Sequence, residues 1–195
     1  MTDDRTALRR ELRERRRAIP AAGRIAAAEA LAQRLLALPG LPDRGYAAGY
    51  WANDGEIALH AWQLRLPPAL AYCLPVLCDD ARLRFAPWRP GDPLVTNRYG
   101  IPEPEVARSS LLDADALSLA ILPLVGFDTS GNRLGMGAGW YDRTFAFRRD
   151  TAAPPRLVGA AFEAQRVAAL AVAGWDVPLD AICTESATYP CTGPA

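Results

Sequence analysis

The sequence predicts an α/β fold, a three-layer α/β/α sandwich built on a mostly parallel sheet and preceded by N-terminal helices. Segments typical of strands alternate with segments typical of helices, which implies crossover connections and a sheet covered on both faces. The most apolar run, LSLAILPL at 117–124, has the composition of a buried central strand. No linker is long enough to split the 195 residues, so we expect a single domain over 1–195.

The N-terminal segment, about 1–38, predicts two helices. Residues 3–18 begin with acidic residues that suit the positive end of a helix. Pro20 suits the first position of a second helix, which runs to about Leu38 and presents one apolar face. The Pro-Gly pair at 39–40 ends that helix.

The remainder of the chain predicts six strands and three shorter helices. The third strand follows the second after only a turn, so we expect that pair to be antiparallel. Residues 89–110 are rich in Pro and Gly and predict an ordered loop, and the tail at about 186–195 is expected to fray. The strands are expected at 46–51, 69–76, 83–88, 117–124, 156–161 and 179–183, and the helices at 57–66, 140–147 and 165–170.

Composition excludes several classes of function. The formal net charge is zero, which argues against a protein that coats nucleic acid or an acidic membrane surface. All 22 basic residues are arginine, so neither a Schiff-base lysine nor a P-loop lysine exists. His60 is the only histidine, which excludes sites that need two. The polar N-terminus and the absence of an 18-residue apolar run predict a cytoplasmic protein.

The loop after the central strand carries the strongest chemical pattern. In open α/β sheets ligands bind outside the carboxyl ends of the strands, where this loop begins. Its glycines at 131, 135, 137 and 139 permit close backbone approach, and the run enters a predicted helix N-terminus. Arg133 and Arg143 add two cationic forks, so they are the candidate catalytic residues for a phosphate group. Asp142 beside such a site is a natural Mg²⁺ ligand.

Two further patterns are weaker. Arg5, Arg9 and Arg13 recur every fourth residue and so share one face of the first helix, where the simplest interpretation is a solvated surface. Aromatic residues lie beside polar ones at 50–56 and 97–104, a composition that suits a planar heterocycle but also ordinary core and turn packing.

These patterns together resemble a known family. RLGMGAGWYDR at 133–143 is similar to the R-L-G-x-G-x-G-Y-Y-D-R signature of 5-formyltetrahydrofolate cyclo-ligases. Shorter similarities run in order over nearly the whole chain, at 5–9, 55–57, 99–104, 157–165 and 176–185. The resemblance implies a fold related to the ribose-5-phosphate isomerase and CoA-transferase group.

The resemblance also implies the site residues. Arg5 and Arg9 would contact the phosphates of ATP, and Asp142 and Asp176 would hold Mg²⁺. The nucleotide would be wrapped by Arg133, Leu134, Gly135, Met136, Gly137, Ala138, Gly139, Trp140 and Tyr141. The folate site would be lined by Trp51, Glu56, Tyr99 and the Met136–Trp140 stretch, that is Met136, Gly137, Ala138, Gly139 and Trp140.

The implied reaction is the ATP-dependent closure of 5-formyltetrahydrofolate, with or without a polyglutamate tail, to 5,10-methenyltetrahydrofolate by a monomeric enzyme. The formyl oxygen takes the γ-phosphoryl group, the N10 amine attacks the formyl carbon, and phosphate leaves. Such chemistry needs positioning and charge stabilisation rather than a protein nucleophile, which agrees with the missing lysine.

Three alternatives stay open at this point. A divergent ligase of the same fold could act with ATP on another formamide-like or carboxylate substrate, since Ala58, Leu59 and Met136 depart from the family pattern. A binding module could take both ligands without turnover. An RNA-binding protein could use the arginine-rich first helix, although zero net charge argues against it.

Overall fold

The computed structural model describes residues 2–191, with side chains from Asp4 onward. Four α-helices and eleven strands lie along these residues. The helices are α1 (Thr2–Arg17), α2 (Ala21–Leu36), α3 (His60–Gln63) and α4 (Trp140–Thr144). The strands are β1 (Arg44–Ala48), β2 (Ala69–Leu77), β3 (Leu83–Pro87), β4 (Leu94–Thr96), β5 (Pro102–Pro104), β6 (Leu119–Pro123), β7 (Gly126–Phe127), β8 (Arg133–Leu134), β9 (Arg156–Ala160), β10 (Ala181–Cys183) and β11 (Thr188–Pro190).

A seven-stranded sheet forms the centre of the molecule, in the order β11-β10-β9-β6-β1-β2-β3. The five inner strands are parallel, and β3 and β11 pair antiparallel at the two edges. The LSLAILPL run supplies β6, the middle strand of the seven, as its composition predicts. The predicted α/β class with a mostly parallel sheet is confirmed, and so is the antiparallel third strand.

Each face of the sheet buries its own hydrophobic layer. On one face α2 and α3 pack Leu31, Leu35 and Trp62 against the inward residues of β1, β6 and β9. On the other face Phe145, after α4, belongs to a second buried cluster that includes alternate residues of the same strands. Apart from α4 and the short strand β7, the residues that this second cluster takes from outside the sheet lie in short 3₁₀ turns and loops. The implied relation to the ribose-5-phosphate isomerase and CoA-transferase group stays a prediction.

The predicted helices after the first two are shorter than expected. The segment 57–66 contributes only α3, and the segment 140–147 contributes α4 followed by a 3₁₀ turn at Ala146–Arg149. The helix predicted at 165–170 is wrong: a 3₁₀ turn, Glu163–Gln165, ends where it should begin. Tertiary hydrogen bonds explain this, because the N–H of Val167 donates to the carbonyl of Phe127 and the N–H of Leu170 to the Asp128 carboxylate.

Two segments expected to lack regular structure contain strands. The loop at 89–110 is ordered as predicted, and within it β4 and β5 form a small hairpin. The tail expected to fray from about 186 instead adds β11 to the sheet through residue 190, and the Tyr189 hydroxyl donates to Glu163 at 2.7 Å. Residues 192–195 of that tail lie outside the described part of the chain.

The strand order reverses between β1 and β6. From β1 the chain proceeds to β2 and β3 on one side, whereas from β6 it proceeds to β9 and β10 on the other. In open parallel sheets the loops leaving such a reversal point separate and form a crevice that binds ligands. The loops concerned are 49–59 after β1 and 124–139 after β6.

Candidate functional site

Helix α1 packs on the chain where it leaves β6. Leu12 is fully buried there and forms a small cluster with Val125 and Leu134. A side chain at Gly126 would collide with Leu12, so a glycine is needed for the helix to approach the loop this closely. The burial of Leu12 fixes the position of α1 on this loop, and with it the position of the arginines of α1 relative to the site.

Three arginines of α1 point into the site rather than into solvent. A guanidinium nitrogen of Arg5 lies 3.5 Å from Asp176 Oδ2, Arg9 Nε donates to the carbonyl of Gly135 at 2.9 Å, and Arg13 Nε donates to Asp54 at 2.7 Å. The solvated-face interpretation of this arginine spacing is therefore wrong. The Nε–H of Arg5 is buried and has no acceptor within residues 4–191, so a donor is left for a bound anion.

The glycine loop forms a ledge below Arg9. Residues 136–138 are exposed, and Gly137 and Gly139 have φ values of +100° and +66°. Such values are strained for other residues, so both glycines are required by the loop conformation. A Cβ on Gly137 would already touch the Arg9 guanidinium at 3.5 Å, which shows how closely helix and loop approach.

Two predicted nucleotide contacts are buried below this ledge. Leu134 is part of the core, so only its backbone can face a ligand. Arg133 is 9% exposed, and its guanidinium donates to the carboxylate of Asp142 and the carbonyl of Val177. Burial lowers the pKa of Arg133 and the charge of Asp142 opposes that effect. In this arrangement Arg133 positions Asp142 rather than facing a phosphate directly.

The two candidate metal ligands both adjoin Val177, Asp176 through the chain and Asp142 through a hydrogen bond. Asp142 Oδ1 accepts the N–H of Val177 at 3.1 Å, and Asp176 Oδ2 accepts the N–H of Ala173 at 2.9 Å. The negative charges of both carboxylates act to raise the pKa of Arg133. The described residues contain no group of three or more acidic, histidine or cysteine side chains able to hold a metal. Two carboxylates suit Mg²⁺, which keeps several waters and completes its shell with phosphate oxygens.

Helix α4 contributes less to anion binding than the sequence predicts. It has five residues, with Gly139 as the N-cap in the left-handed region. Since the helix dipole grows with the number of aligned peptides, a single turn adds little. Arg143 lies on this turn, exposed, with its Nε donating to the carbonyl of Ala81 at 2.8 Å and its guanidinium over the Trp140 ring.

Exposed aromatic rings flank the glycine loop. Trp140 Nε1 is 3.3 Å from the Tyr99 hydroxyl oxygen, and the two rings meet edge to face with their centroids 6.3 Å apart. The guanidinium of Arg98 lies over both rings. Tyr99 is 51% exposed, and so is Met136 on the loop. Trp51, 38% exposed, forms a separate edge-to-face pair with Trp88.

Glu56 is held in a turn after β1. Its Oε2 accepts the N–H of Asn53 at 3.0 Å. Burial raises the pKa of Glu56, while that hydrogen bond and the charge of Arg16 act in the opposite direction. Its charge also raises the pKa of the Tyr50 and Tyr141 hydroxyls, although burial is the larger cause for both. Glu56 is therefore within electrostatic range of Arg16 on α1 and of Tyr141 on α4.

Sequence reasoning missed Arg16 and Asp54. Arg16 is fully buried, and it donates to the Asp54 carboxylate at 2.7 Å and to the Asp54 carbonyl at 3.0 Å. Within the run Arg15-Arg16-Arg17 nothing distinguishes the buried residue from the exposed ones. The Asp-Gly pair at 54–55 was a usable signal, because it predicts the positive φ that both residues adopt.

A concavity of about 450 Å³ lies beside Trp88, the ring that pairs with Trp51. It is bounded by the end of α3, the start of β2 and residues 87–92, and none of the predicted site residues lines it. The candidate site is instead an open ledge beneath α1, at the point where the strand order reverses.

Fold and site together define an α/β protein in which an arginine-rich helix and a glycine loop meet beside two carboxylates, with partly exposed aromatic rings nearby. A model of the 5-formyltetrahydrofolate cyclo-ligase family matches residues 1–185. The chain belongs to that family.

Relatives agree with this membership, and solved structures share the fold. The 5-formyltetrahydrofolate cyclo-ligases of Haemophilus influenzae and Escherichia coli K12 are each 35% identical over 91% of this chain, covering 96% and 98% of their own lengths. The NMR structure of Aquifex aeolicus 5,10-methenyltetrahydrofolate synthetase superposes with a TM-score of 0.81 at 23% identity, covering 98% of this chain and 94% of that one. A Mycoplasma pneumoniae 5,10-methenyltetrahydrofolate synthetase gives 0.73 at 22%, over 93% and 99% of the two chains.

Proposed function

We propose that this protein is a 5-formyltetrahydrofolate cyclo-ligase, which uses ATP to close 5-formyltetrahydrofolate to 5,10-methenyltetrahydrofolate with release of ADP and phosphate. The observation that carries the proposal is the ledge beneath α1. There Arg5, Arg9 and the glycine loop converge beside Asp142 and Asp176, in a chain of the cyclo-ligase family.

ATP is the co-substrate of this site. The exposed backbone of 135–139 is free of side-chain bulk at its glycines, so phosphates can approach its N–H groups closely. Arg5 and Arg9 supply positive charge from above, and the buried Nε–H of Arg5 gains an acceptor when a phosphate binds. Leu134 and Tyr141 contribute through their backbones, because Leu134 is in the core and the Tyr141 ring stacks on Phe145.

Mg²⁺ fits the pair Asp142 and Asp176. Arg133 and the N–H of Val177 orient the first carboxylate, and the N–H of Ala173 orients the second. When bound, Mg²⁺ supplies charge that neutralises the phosphate oxygens. Arg133 acts by holding Asp142, and Arg143 lies in the last turn of α4 with its guanidinium over the Trp140 ring.

The folate occupies the side of the ledge that carries the aromatic rings. Trp51, Tyr99 and Trp140 offer flat apolar surfaces for a pterin and its benzoyl group, and Met136 adds an adaptable contact. Glu56 accepts hydrogen bonds from the donor groups of the pterin ring. Placing the formyl oxygen against the γ-phosphoryl group of ATP, and N10 next to the formyl carbon, is the main contribution of the protein, since ring closure needs proximity and no protein nucleophile.

The finer features of the proposal concern the form of the substrate and of the enzyme. The enzyme acts as a single-domain monomer in the cytoplasm and accepts polyglutamylated as well as simple 5-formyltetrahydrofolate. Within residues 2–191, no helix combines the length and the apolar character needed to cross a membrane.

The direct test is the absorbance of 5,10-methenyltetrahydrofolate formed by purified protein from 5-formyltetrahydrofolate. We expect a signal that requires both ATP and Mg²⁺. ATP turnover without that signal would favour the divergent ligase acting on another formamide-like or carboxylate substrate. Binding of both ligands without phosphate release would favour a binding module.

Asp142→Asn tests the metal assignment. The amide oxygen can still accept from Arg133 and from the N–H of Val177, so the fold is retained while a charged metal ligand is lost. We expect kcat to fall by roughly 100-fold or more, the size seen when one charge-stabilising group is removed from an active site. Near-normal turnover in a variant of unchanged Tm would show that Asp142 is not a ligand of the metal.

A further inference from the structure

Asp54 joins helix α1 to the loop after β1. Its carboxylate accepts from Arg13 and Arg16 at 2.7 Å each and from Arg17 as well. We call these four residues, Arg13, Arg16, Arg17 and Asp54, the Asp54 clasp. Three arginines on one 13%-exposed carboxylate are far more than a surface turn requires.

Backbone contacts make the same connection. Arg16 Nε donates to the carbonyl of Asp54 at 3.0 Å, and Arg24 donates to the carbonyl of Gly55 at 3.1 Å. Asp54 and Gly55 have φ values of +51° and +78°, so the turn is held in a conformation that most residues avoid. The loop cannot shift without breaking these bonds, which would leave the buried Arg16 guanidinium without a counter-charge and with only the carbonyl of Leu124 to accept from it.

The two ends of α1 serve different halves of the proposed site. Arg5 and Arg9 reach Asp176 and the glycine loop, where the nucleotide binds. One to three turns further along, the Asp54 clasp holds the loop that carries Trp51 and Glu56. A helix is stiff over this length, so a displacement of its nucleotide end is transmitted to the folate loop.

The charge of Arg16 also reaches the folate side directly. Arg16 is one of the groups that oppose the rise in the pKa of Glu56, and Glu56 in turn acts on the pKa of Arg16. The single negative charge of Asp54 cannot neutralise three arginines, so part of the positive charge of Arg16 still acts on Glu56.

We propose that the Asp54 clasp is a positioning element that couples the binding of ATP to the binding of 5-formyltetrahydrofolate. This inference rests on the proposed function. Docking of phosphates on Arg5 and Arg9 fixes α1, α1 fixes Asp54, and Asp54 sets the position of Glu56 and Trp51. Because such coupling is reciprocal, bound folate tightens ATP by the same factor.

The test measures four dissociation constants with Mg²⁺ present. The probes are 5-formyltetrahydrofolate and a non-hydrolysable ATP analogue, each titrated alone and with the other at saturation. For the unaltered protein we expect each ligand to tighten the other by about 5-fold or more, the lower end of typical coupling. For Asp54→Asn, which suits a positive φ, we expect the coupling factor to fall close to 1 while the analogue alone binds with similar affinity.

Two variants guard against a loss of folding in Asp54→Asn. Arg13→Ala and Arg17→Ala each remove one partly exposed arginine and leave the buried Arg16–Asp54 pair in place. We expect each to lower the coupling factor partially. The matched control is Glu11→Gln, which breaks the exposed pair with Arg15 on the same helix and should keep the coupling of the unaltered protein.

The outcomes separate the inference from the function on which it rests. An unaltered protein that binds both ligands without coupling, or clasp variants that lose Tm but keep full coupling, would overturn the inference and leave the function standing. An unaltered protein that binds the ATP analogue but no 5-formyltetrahydrofolate would overturn the proposed function, and the inference with it.

Discussion

Single side chains in this site have charge states set by burial. Glu56 is an acidic group whose pKa is raised by burial, and Arg133 is a basic group whose pKa is lowered by it. Burying the charged form of each residue lowers the stability of the protein without ligands, and such perturbed groups are common at functional positions. Asp142 compensates Arg133 directly, whereas Glu56 has only the Asn53 N–H and the charge of Arg16.

The variant Glu56→Gln distinguishes the effect of Glu56 on stability from its role in binding the substrate. The folded protein binds a proton at Glu56 more tightly than the unfolded chain does, so its free energy of unfolding decreases as the pH rises through the range between the two pKa values. Gln does not titrate and can still accept from Asn53. We expect the variant to gain stability relative to the unaltered protein at pH 7, with the gain disappearing at pH 4 and below.

Urea unfolding at several pH values measures that difference. The same variant should raise KM for 5-formyltetrahydrofolate more than KM for ATP, because Glu56 lies on the folate side. A gain in stability that does not vary with pH would contradict the argument that burial raises the pKa of Glu56. A selective loss of ATP affinity would contradict the assignment of Glu56 to the folate site.

At the scale of elements, α1 is the helix that completes the proposed site at the carboxyl ends of the central strands. Among its side chains from Asp4 onward, Leu12 is the only fully buried apolar one, and it packs against Val125 and Leu134. The polar contacts of the helix with the glycine loop and with Asp176 are partly exposed and individually weak. Leu12 therefore anchors the nucleotide end of α1.

Leu12→Ala should loosen α1 without dissolving the sheet. Removing a buried leucine costs about 2–5 kcal/mol, and here much of that cost falls on the helix alone. We expect faster hydrogen exchange in α1 than in β6 and a raised KM for ATP. Leu8→Ala, at a partly buried position of the same cluster, is the milder control. Equal loss of protection in α1 and β6 would show that the helix is not a separate unit.

The elements with strong local patterns were predicted well from the sequence. Helices α1 and α2 and strands β2, β6 and β9 lie within a few residues of their predicted bounds, since periodicity and apolar runs are properties of the segments themselves. The segment 165–170 and the strand β11 were missed because distant groups decide their backbone. Val167 bonds to Phe127, and Tyr189 bonds to Glu163.

The site was predictable in its residues but less so in their roles. A motif over 133–143 identifies the loop, yet it does not show that Arg133 is buried behind Asp142. The arginine spacing in α1 was consistent with a solvated face until the packing of Leu12 placed that face over the site. Burial depends on which element covers which, and local sequence does not record it.

At the scale of the whole molecule, the proposed ligands bind where separate parts of the chain meet. The proposed nucleotide ledge is formed by α1, the loop after β6 and the residues before β10, which are far apart in sequence. A ligand that binds these parts together binds the folded state and has no equivalent site in the unfolded chain. Its binding energy therefore adds to the free energy of unfolding.

This linkage gives a prediction that does not depend on turnover. At a concentration 100 times its dissociation constant, Mg²⁺-ATP should stabilise the protein by about 2.7 kcal/mol. For a chain of this size that corresponds to a rise in Tm of roughly 5–10 °C. ATP with a chelator should give a smaller rise, and Asp142→Asn should respond alike with and without Mg²⁺, because its metal ligand is lost. An equal rise for the unaltered protein with and without Mg²⁺ would show that the metal does not bridge the nucleotide to Asp142 and Asp176. The absence of any rise would show that the ledge beneath α1 does not bind ATP.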